Sequence, residues 1–262
     1  MTKIYAQEMK KDTVLVVTAD TVKTKKKGAK VHLEIGGKQY GTKQDSTEKN
    51  EESGYPDFSL SLTFTRFDLG FSRYLDNGSF SLSPQNDYLD YTGGKTSNIG
   101  FDFLQLGVRF TSHFKVYLAA GLDWNHIRLE KNITFQKNKP LDQYITEPIE
   151  FDKNRFSSRY LRLPLSFEFR TNDDRKGKKI HFVAGPEIGF LLNGKLKQIS
   201  NERGKEKFYN DYNFQPVRYG AFARLGYGGM GIYAKYYFTD VFVEGQGPKD
   251  FKNFSFGLMF GF

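Results

Sequence analysis

The sequence predicts an all-β fold: an eight-stranded antiparallel up-and-down transmembrane β-barrel behind a polar N-terminal extension. Three observations predict it. Eight stretches alternate with period two, the repeat of a strand whose successive side chains point to opposite faces. In most, one parity is largely apolar, and the other carries glycine, charge or small polar groups with an occasional inward aromatic. The connections alternate long and short, as in a barrel with loops on one side of a membrane and tight turns on the other.

Composition sets the bounds. The chain has 262 residues, with 26 Phe, 16 Tyr and 26 Gly, and a mean hydropathy of −0.59. No apolar run reaches the roughly 18 residues of a transmembrane helix. A membrane barrel needs apolar residues only at every second position, so the low hydropathy does not count against one. With no Cys, disulfides, thiolate metal sites and cysteine nucleophiles are excluded. Net charge is +9, but Lys and Arg are dispersed apart from Lys25–Lys27 and Arg175–Lys179. Solvated loops and tail account for that pattern better than a nucleic-acid surface.

Residues 1–56 form the polar extension, expected in the periplasm as disordered chain or a short hairpin. Thr13–Thr18 and Val31–Ile35 read as short strands between Lys- and Glu-rich linkers. IYAQ followed by Glu8 reads as the end of an export signal. Lys25–Lys27 could touch lipopolysaccharide phosphates or periplasmic anions, but solvated charges on a flexible linker explain them better.

Residues 57–262 form the barrel. In strand one Phe58, Leu60, Leu62 and Phe64 alternate, and the phase slips at Thr65–Arg66 before Phe67, Leu69 and Phe71, as a β-bulge would make it. Strand two has Leu104, Leu106, Val108 and Phe110 in phase. Strand three sets Val116, Leu118, Ala120, Leu122 and Trp124 opposite Tyr117, Gly121, Asp123 and Asn125. Strand four is the clearest, with Leu161, Leu163, Leu165, Phe167 and Phe169 against Arg162, Pro164, Ser166, Glu168 and Arg170. Strand five runs from about Ile180 to Lys195, strand six from Val217 to Tyr227, and strand seven sets Ile232, Ala234, Tyr236 and Phe238 opposite Tyr233, Lys235, Tyr237 and Thr239. Strand eight is NFSFGLMFGF, whose Phe254, Phe256, Leu258, Phe260 and Phe262 share one parity. Pro164 and Pro186 lie inside strands, where each removes a ladder donor, so bulges or weak pairing are expected there. Long connections are read at Asp76–Ser97, Lys131–Phe156, Leu196–Phe214 and Val243–Lys252.

The polar parity decides which face meets lipid. It carries Arg109, Asp123, Arg162, Glu168, Glu187, Arg218, Arg224 and Lys235. A soluble ligand-binding barrel would need an apolar interior. Here the charged face must be enclosed, and the large apolar face meets lipid. Eight strands enclose only enough space for side chains. The mixed signs, with inward Tyr233 and Tyr237, predict a plugged interior rather than a pore. Trp124, Tyr219 and Tyr227 are the expected interface aromatics.

FDLGFSRYL, NDYLDY, GLDWNHIRLE, YLRLPLSFEF, YNFQPVRYGAFARLGYG and FSFGLMFGF, in this order, resemble the PorT-like outer-membrane β-barrel proteins of the Bacteroidetes. The resemblance covers Phe67 to Phe262. It implies export to the bacterial outer membrane and an assembly signal at Phe262 read by the barrel-insertion machinery. The founding member's association with protease secretion carries no motif that transfers here. With an even strand count, both termini are expected in the periplasm. Outer-membrane lipid and lipopolysaccharide are the expected surroundings, with no nucleic acid and no cofactor.

No catalytic residues are expected. The alternative is a lipid-modifying enzyme using His126 or His181, because a His with an acid and a hydroxyl can activate water for ester cleavage; a small pore is a third reading. Asp87 and Asp90 could attract Ca²⁺, but a solvated loop explains them, and no metal site is expected.

Overall fold

The computed structural model describes residues 30–35, 38–40 and 56–261. The strands are β1 (Lys30–Ile35), β2 (Lys38–Tyr40), β3 (Asp57–Asp76), β4 (Ser97–Arg109), β5 (Phe114–Leu129), β6 (Ile133–Thr134), β7 (Ile145–Thr146), β8 (Lys153–Arg170), β9 (Ile180–Ser200), β10 (Gly204–Asn210), β11 (Val217–Tyr227), β12 (Met230–Tyr237) and β13 (Phe251–Phe260). Eight of them, β3, β4, β5, β8, β9, β11, β12 and β13, pair antiparallel in chain order. β13 then pairs with β3, Phe260 opposite Phe67 and Phe251 opposite Asp76, and the barrel closes. Closure leaves no free edge around the wall, the condition for a sheet in lipid.

The alternation predicted for β8 holds along the strand. Arg162, Ser166 and Glu168 are buried while Leu165, Phe167 and Phe169 are exposed. Leu69, Phe71, Leu118, Phe182, Leu225 and Leu258 are likewise exposed on the outer wall. The phase slip in β3 is present as a register shift between Leu62 and Arg66. Two further register shifts break the alternation, in β4 and at Leu192 of β9. β4 bulges at Phe103, between Asp102 and Leu104, so its apolar parity changes there.

Proline acts as expected. The β8–β9 ladder passes from Pro164↔Glu187 to Phe167↔Ala184 in unchanged register, so pairing lapses without a bulge. β3 starts well before its closure with β13, leaving Asp57–Leu62 without a barrel neighbour on that edge. β1 covers this edge in parallel register, Lys30↔Asp57 to Ile35↔Leu62, and β2 pairs with β1. β1 and β2 thus form a hairpin beside this edge of the barrel. Thr13–Thr18, Lys25–Lys27 and Phe262 lie outside the described residues.

One predicted connection is corrected. Leu196–Phe214 is not a loop: β9 continues to Ser200 and returns as β10, paired from Gly204↔Ser200 to Asn210↔Gly194. The alternation resumes there on the other parity after a register shift at Leu192, and its outward residues, Lys195, Lys197 and Ile199, are mostly charged, so the membrane signal stops before the strand does.

Candidate functional site

The lumen is filled in layers. At mid-height, charges from six strands converge on three aspartates. Arg162 Nη1 lies 2.6 Å from Asp68 Oδ2, and its guanidinium reaches Asp102 Oδ1 at 2.8 Å. Arg66 donates to Asp102 at 3.1 Å and to the Tyr117 hydroxyl at 2.6 Å. Lys235 Nζ bridges Asp68 at 2.9 Å and Asp123 at 3.1 Å. Arg218 pairs with Asp123 at 2.5 Å and lies between the Tyr160 and Tyr237 rings, 3.7 and 3.9 Å from their centroids. Arg224 stands 3.8 Å from Asp68 and over the Phe222 ring. Glu187 accepts the Tyr237 hydroxyl, and Tyr233 donates to Asn98 at 2.7 Å.

Local sequence makes room for this network. A Cβ on Gly100 would sit 2.7 Å from Arg162 Nη1, so the glycine leaves room for that guanidinium against the inner wall. Burying so many charges is tolerable only because each cation meets carboxylate or ring faces inside the same layer.

Five of the eight predicted lumen charges, Asp123, Arg162, Arg218, Arg224 and Lys235, come together in this layer, with Glu187 beside it through Tyr237. The other two, Glu168 and Arg109, lie at the turn end. There Glu168 accepts from His181 Nδ1 at 3.0 Å, opposite Lys115. A small apolar layer of Tyr117, Val183 and Phe222 accompanies the ionic one. Sequence reasoning missed Arg66, Asp68 and Asp102. Asp68 lies on the inner parity after the first slip and was legible; Asp102 was hidden by the unforeseen bulge at Phe103.

At the loop end, the loops fold inward as an apolar cap. Tyr74, Leu89, Ile127, Leu129, Phe135, Phe156, Leu196, Phe214, Phe242 and Phe251 belong to one buried cluster. Phe156 stacks on Phe214 with centroids 4.7 Å apart, and Phe214 on Phe242 at 5.2 Å. Between cap and ionic layer remains a cavity of about 20 Å³, lined by Tyr74, Asn125, Tyr160, Arg218 and Tyr237, space for about one water.

Loop one is latched to the barrel rim. Asp76 Oδ2 accepts from the Ser83 amide at 2.7 Å, the Ser83 hydroxyl at 2.6 Å and the Asn86 amide at 2.9 Å. Burial alone would raise this carboxyl. The three donors outweigh it and hold Asp76 below the usual carboxylate value. Asp87 is paired with Lys131 at 2.9 Å, and Asp90 accepts from the Tyr91 amide. No group of carboxylates and histidines able to hold a metal occurs among the described residues.

Of the expected interface aromatics, Tyr219 and Tyr227 are exposed at opposite ends of β11, and Trp124 packs on Phe101 at 5.5 Å. His126, just beyond Trp124, has Nδ1 2.8 Å from Ser157 Oγ, a pairing across strands invisible in the sequence.

The family described as "Outer membrane protein beta-barrel domain" matches residues 14–243. No curated protein matches the chain. Among solved structures, Ail, the attachment invasion locus protein of Yersinia pestis, in complex with the heparin analogue sucrose octasulfate, aligns at 14% identity with a TM-score of 0.32, covering 77% of this chain and 94% of that one.

Proposed function

The chain belongs to the outer membrane protein β-barrel domain family, and on that premise we propose that it is a non-enzymatic barrel with a plugged lumen. Its working surfaces are its long loops and outer wall, and its role is structural, in envelope assembly or in loop-mediated contact. The observation that carries this reading is the crowded interior: a buried ionic layer lies beneath an aromatic cap. The PorT-like resemblance of residues 67–262 supports a role inside the envelope. In this reading the loops face outward, and the N-terminal extension and both termini lie in the periplasm. Tyr219 and Tyr227 then mark the two interfaces. Eight residues of strand between them span about 27 Å, or about 21 Å of height at a tilt of about 40°, close to the apolar band of such barrels. Phe262 serves as the signal for the insertion machinery, so its deletion lowers the inserted fraction more than the stability of what inserts. Equal insertion without Phe262 would refute that role.

Orientation is testable because the chain has no native Cys. Ser81→Cys in loop one should label on intact cells with an impermeant maleimide. Lys176→Cys in a turn should label only after the outer membrane is opened. The reverse pattern would overturn the orientation.

The His126–Ser157 contact favours a second reading, a lipid-ester hydrolase at the outer wall. Against it, no carboxylate bonds the other ring nitrogen among the described residues. Flanking Arg155 and Lys195 also disfavour the imidazolium a general base must become. Lipid mass spectra of cells carrying the wild type, His126→Ala or Ser157→Ala should be identical; an acyl chain lost only with the wild type would establish the enzyme.

A further inference from the structure

Cross-strand register places cations side by side on the outer wall, just beyond the lipid-facing band at the loop end. Arg128 on β5 is opposite Arg155 on β8, Arg155 opposite Lys197 on β9, and Lys197 opposite Lys207 on β10. Residues directly opposite project to the same face. Four positive side chains thus lie abreast on four adjacent strands, a row roughly 14 Å wide at the usual strand spacing. Lys153 flanks the row on the side away from the membrane, and Lys195 on the side toward it.

These charges are not answered by the protein. Among the described residues, none of the six forms an ion pair with a carboxylate. Arg128 donates to the Asp152 backbone carbonyl, and Lys195 stands over the Tyr209 ring at 5.4 Å. The nearby carboxylate of Glu130 accepts from the Thr92 hydroxyl. Like charges directly opposite on a sheet destabilise it, so a row of four calls for an anion from outside.

The position says which anion. Arg128 lies four residues beyond Trp124, about 13 Å of strand and about 10 Å of height at the usual tilt. That is headgroup depth, on a wall whose lower part is apolar. A ligand anchored there has acyl chains on the wall below and its negative charge at the row. We propose that the row Arg128–Arg155–Lys197–Lys207 binds the phosphorylated sugar headgroup of an outer-leaflet glycolipid. The guanidiniums take phosphate oxygens bidentately, and the lysines act as point charges. This rests on the reading that the loop end faces outward.

The test uses the full chain, folded in detergent and checked by heat-modifiable mobility. Binding is measured for bisphosphorylated lipid A, enzymatically dephosphorylated lipid A, phosphatidylglycerol, inorganic pyrophosphate and a sulfated oligosaccharide. The expected result is tightest binding of bisphosphorylated lipid A, weakened at least about tenfold by dephosphorylation and about tenfold in Arg155→Gln/Lys197→Gln. The double variant should melt no lower than wild type in lipid-free detergent, because repulsion is relieved, yet gain less from added lipid A. Lys207→Gln, on the exposed hairpin, should weaken binding in the same direction, and covers the case of a double variant that fails to fold. Equal binding by the variants, or indifference to dephosphorylation, overturns the site. Equal affinity for pyrophosphate or phosphatidylglycerol overturns the glycolipid assignment, as does tighter binding of the sulfated oligosaccharide. Lipid binding that persists while Ser81→Cys stays unlabelled on intact cells would remove the orientation and leave the phosphate site standing.

Discussion

Replacing Arg162 by Met isolates the electrostatic contribution of the lumen network. Met keeps most of the side-chain length and packs adaptably, so the cavity contribution is small. The variant loses the contacts to Asp68 at 2.6 Å and Asp102 at 2.8 Å. Each charge-assisted bond contributes about 1.5–3 kcal/mol. Asp68 keeps Lys235 at 2.9 Å, and Asp102 keeps Arg66 at 3.1 Å, so neither carboxylate is stranded. The expected loss is therefore that of two charge-assisted bonds, about 4 kcal/mol. Urea titration in vesicles, followed by fluorescence of Trp124, the single tryptophan, reads this directly. The double variant Arg162→Met/Asp68→Asn should lose less than the sum of its singles, with a coupling of about 1.5–3 kcal/mol. A single variant within about 1 kcal/mol of wild type, or strict additivity, would refute the network as a structural element.

Two further outcomes follow from the loop end. Asp76→Asn should cost about 2 kcal/mol of loop-one protection, measured by hydrogen exchange at the Ser83 amide. The folded carboxyl is held below its unfolded value, so its stabilisation is complete above about pH 3.9 and is lost as pH falls through the folded value. Wild-type protection should fade on acidification, and the variant should show no such step; an unchanged step in the variant would remove Asp76 from the latch. Phe156→Ala, which deletes a ring stacked on Phe214, should cost about 3–5 kcal/mol and open the loops to protease. Wild-type protease resistance in that variant would mean that the loops do not pack as one cap.

The wall of the barrel was legible in the sequence, because membrane strands repeat their chemistry locally. β8 announces both its faces through Leu161 to Arg170. The slip at Thr65–Arg66 was visible because apolar residues flank it on both sides. The bulge at Phe103 was not, because Phe101 and Phe103 continue one parity and Leu104 and Leu106 start the other with no gap, leaving Asp102 on the apparent lipid face. The cap was illegible for a different reason. Leu89, Phe135, Phe156, Phe214 and Phe242 come from separate connections, and only tertiary packing gathers them. The cationic row needs the register of four strands at once, and the His126–Ser157 contact the register of two.

Single-channel recording in planar bilayers tests the plugged lumen most directly. Wild-type barrels, inserted and verified as folded, should give no conductance above the bare membrane at any voltage the bilayer withstands. Steady, reproducible conductance steps from the folded wild type would contradict the account, because ions would then be crossing through the layer where Arg162 meets Asp68 and Asp102.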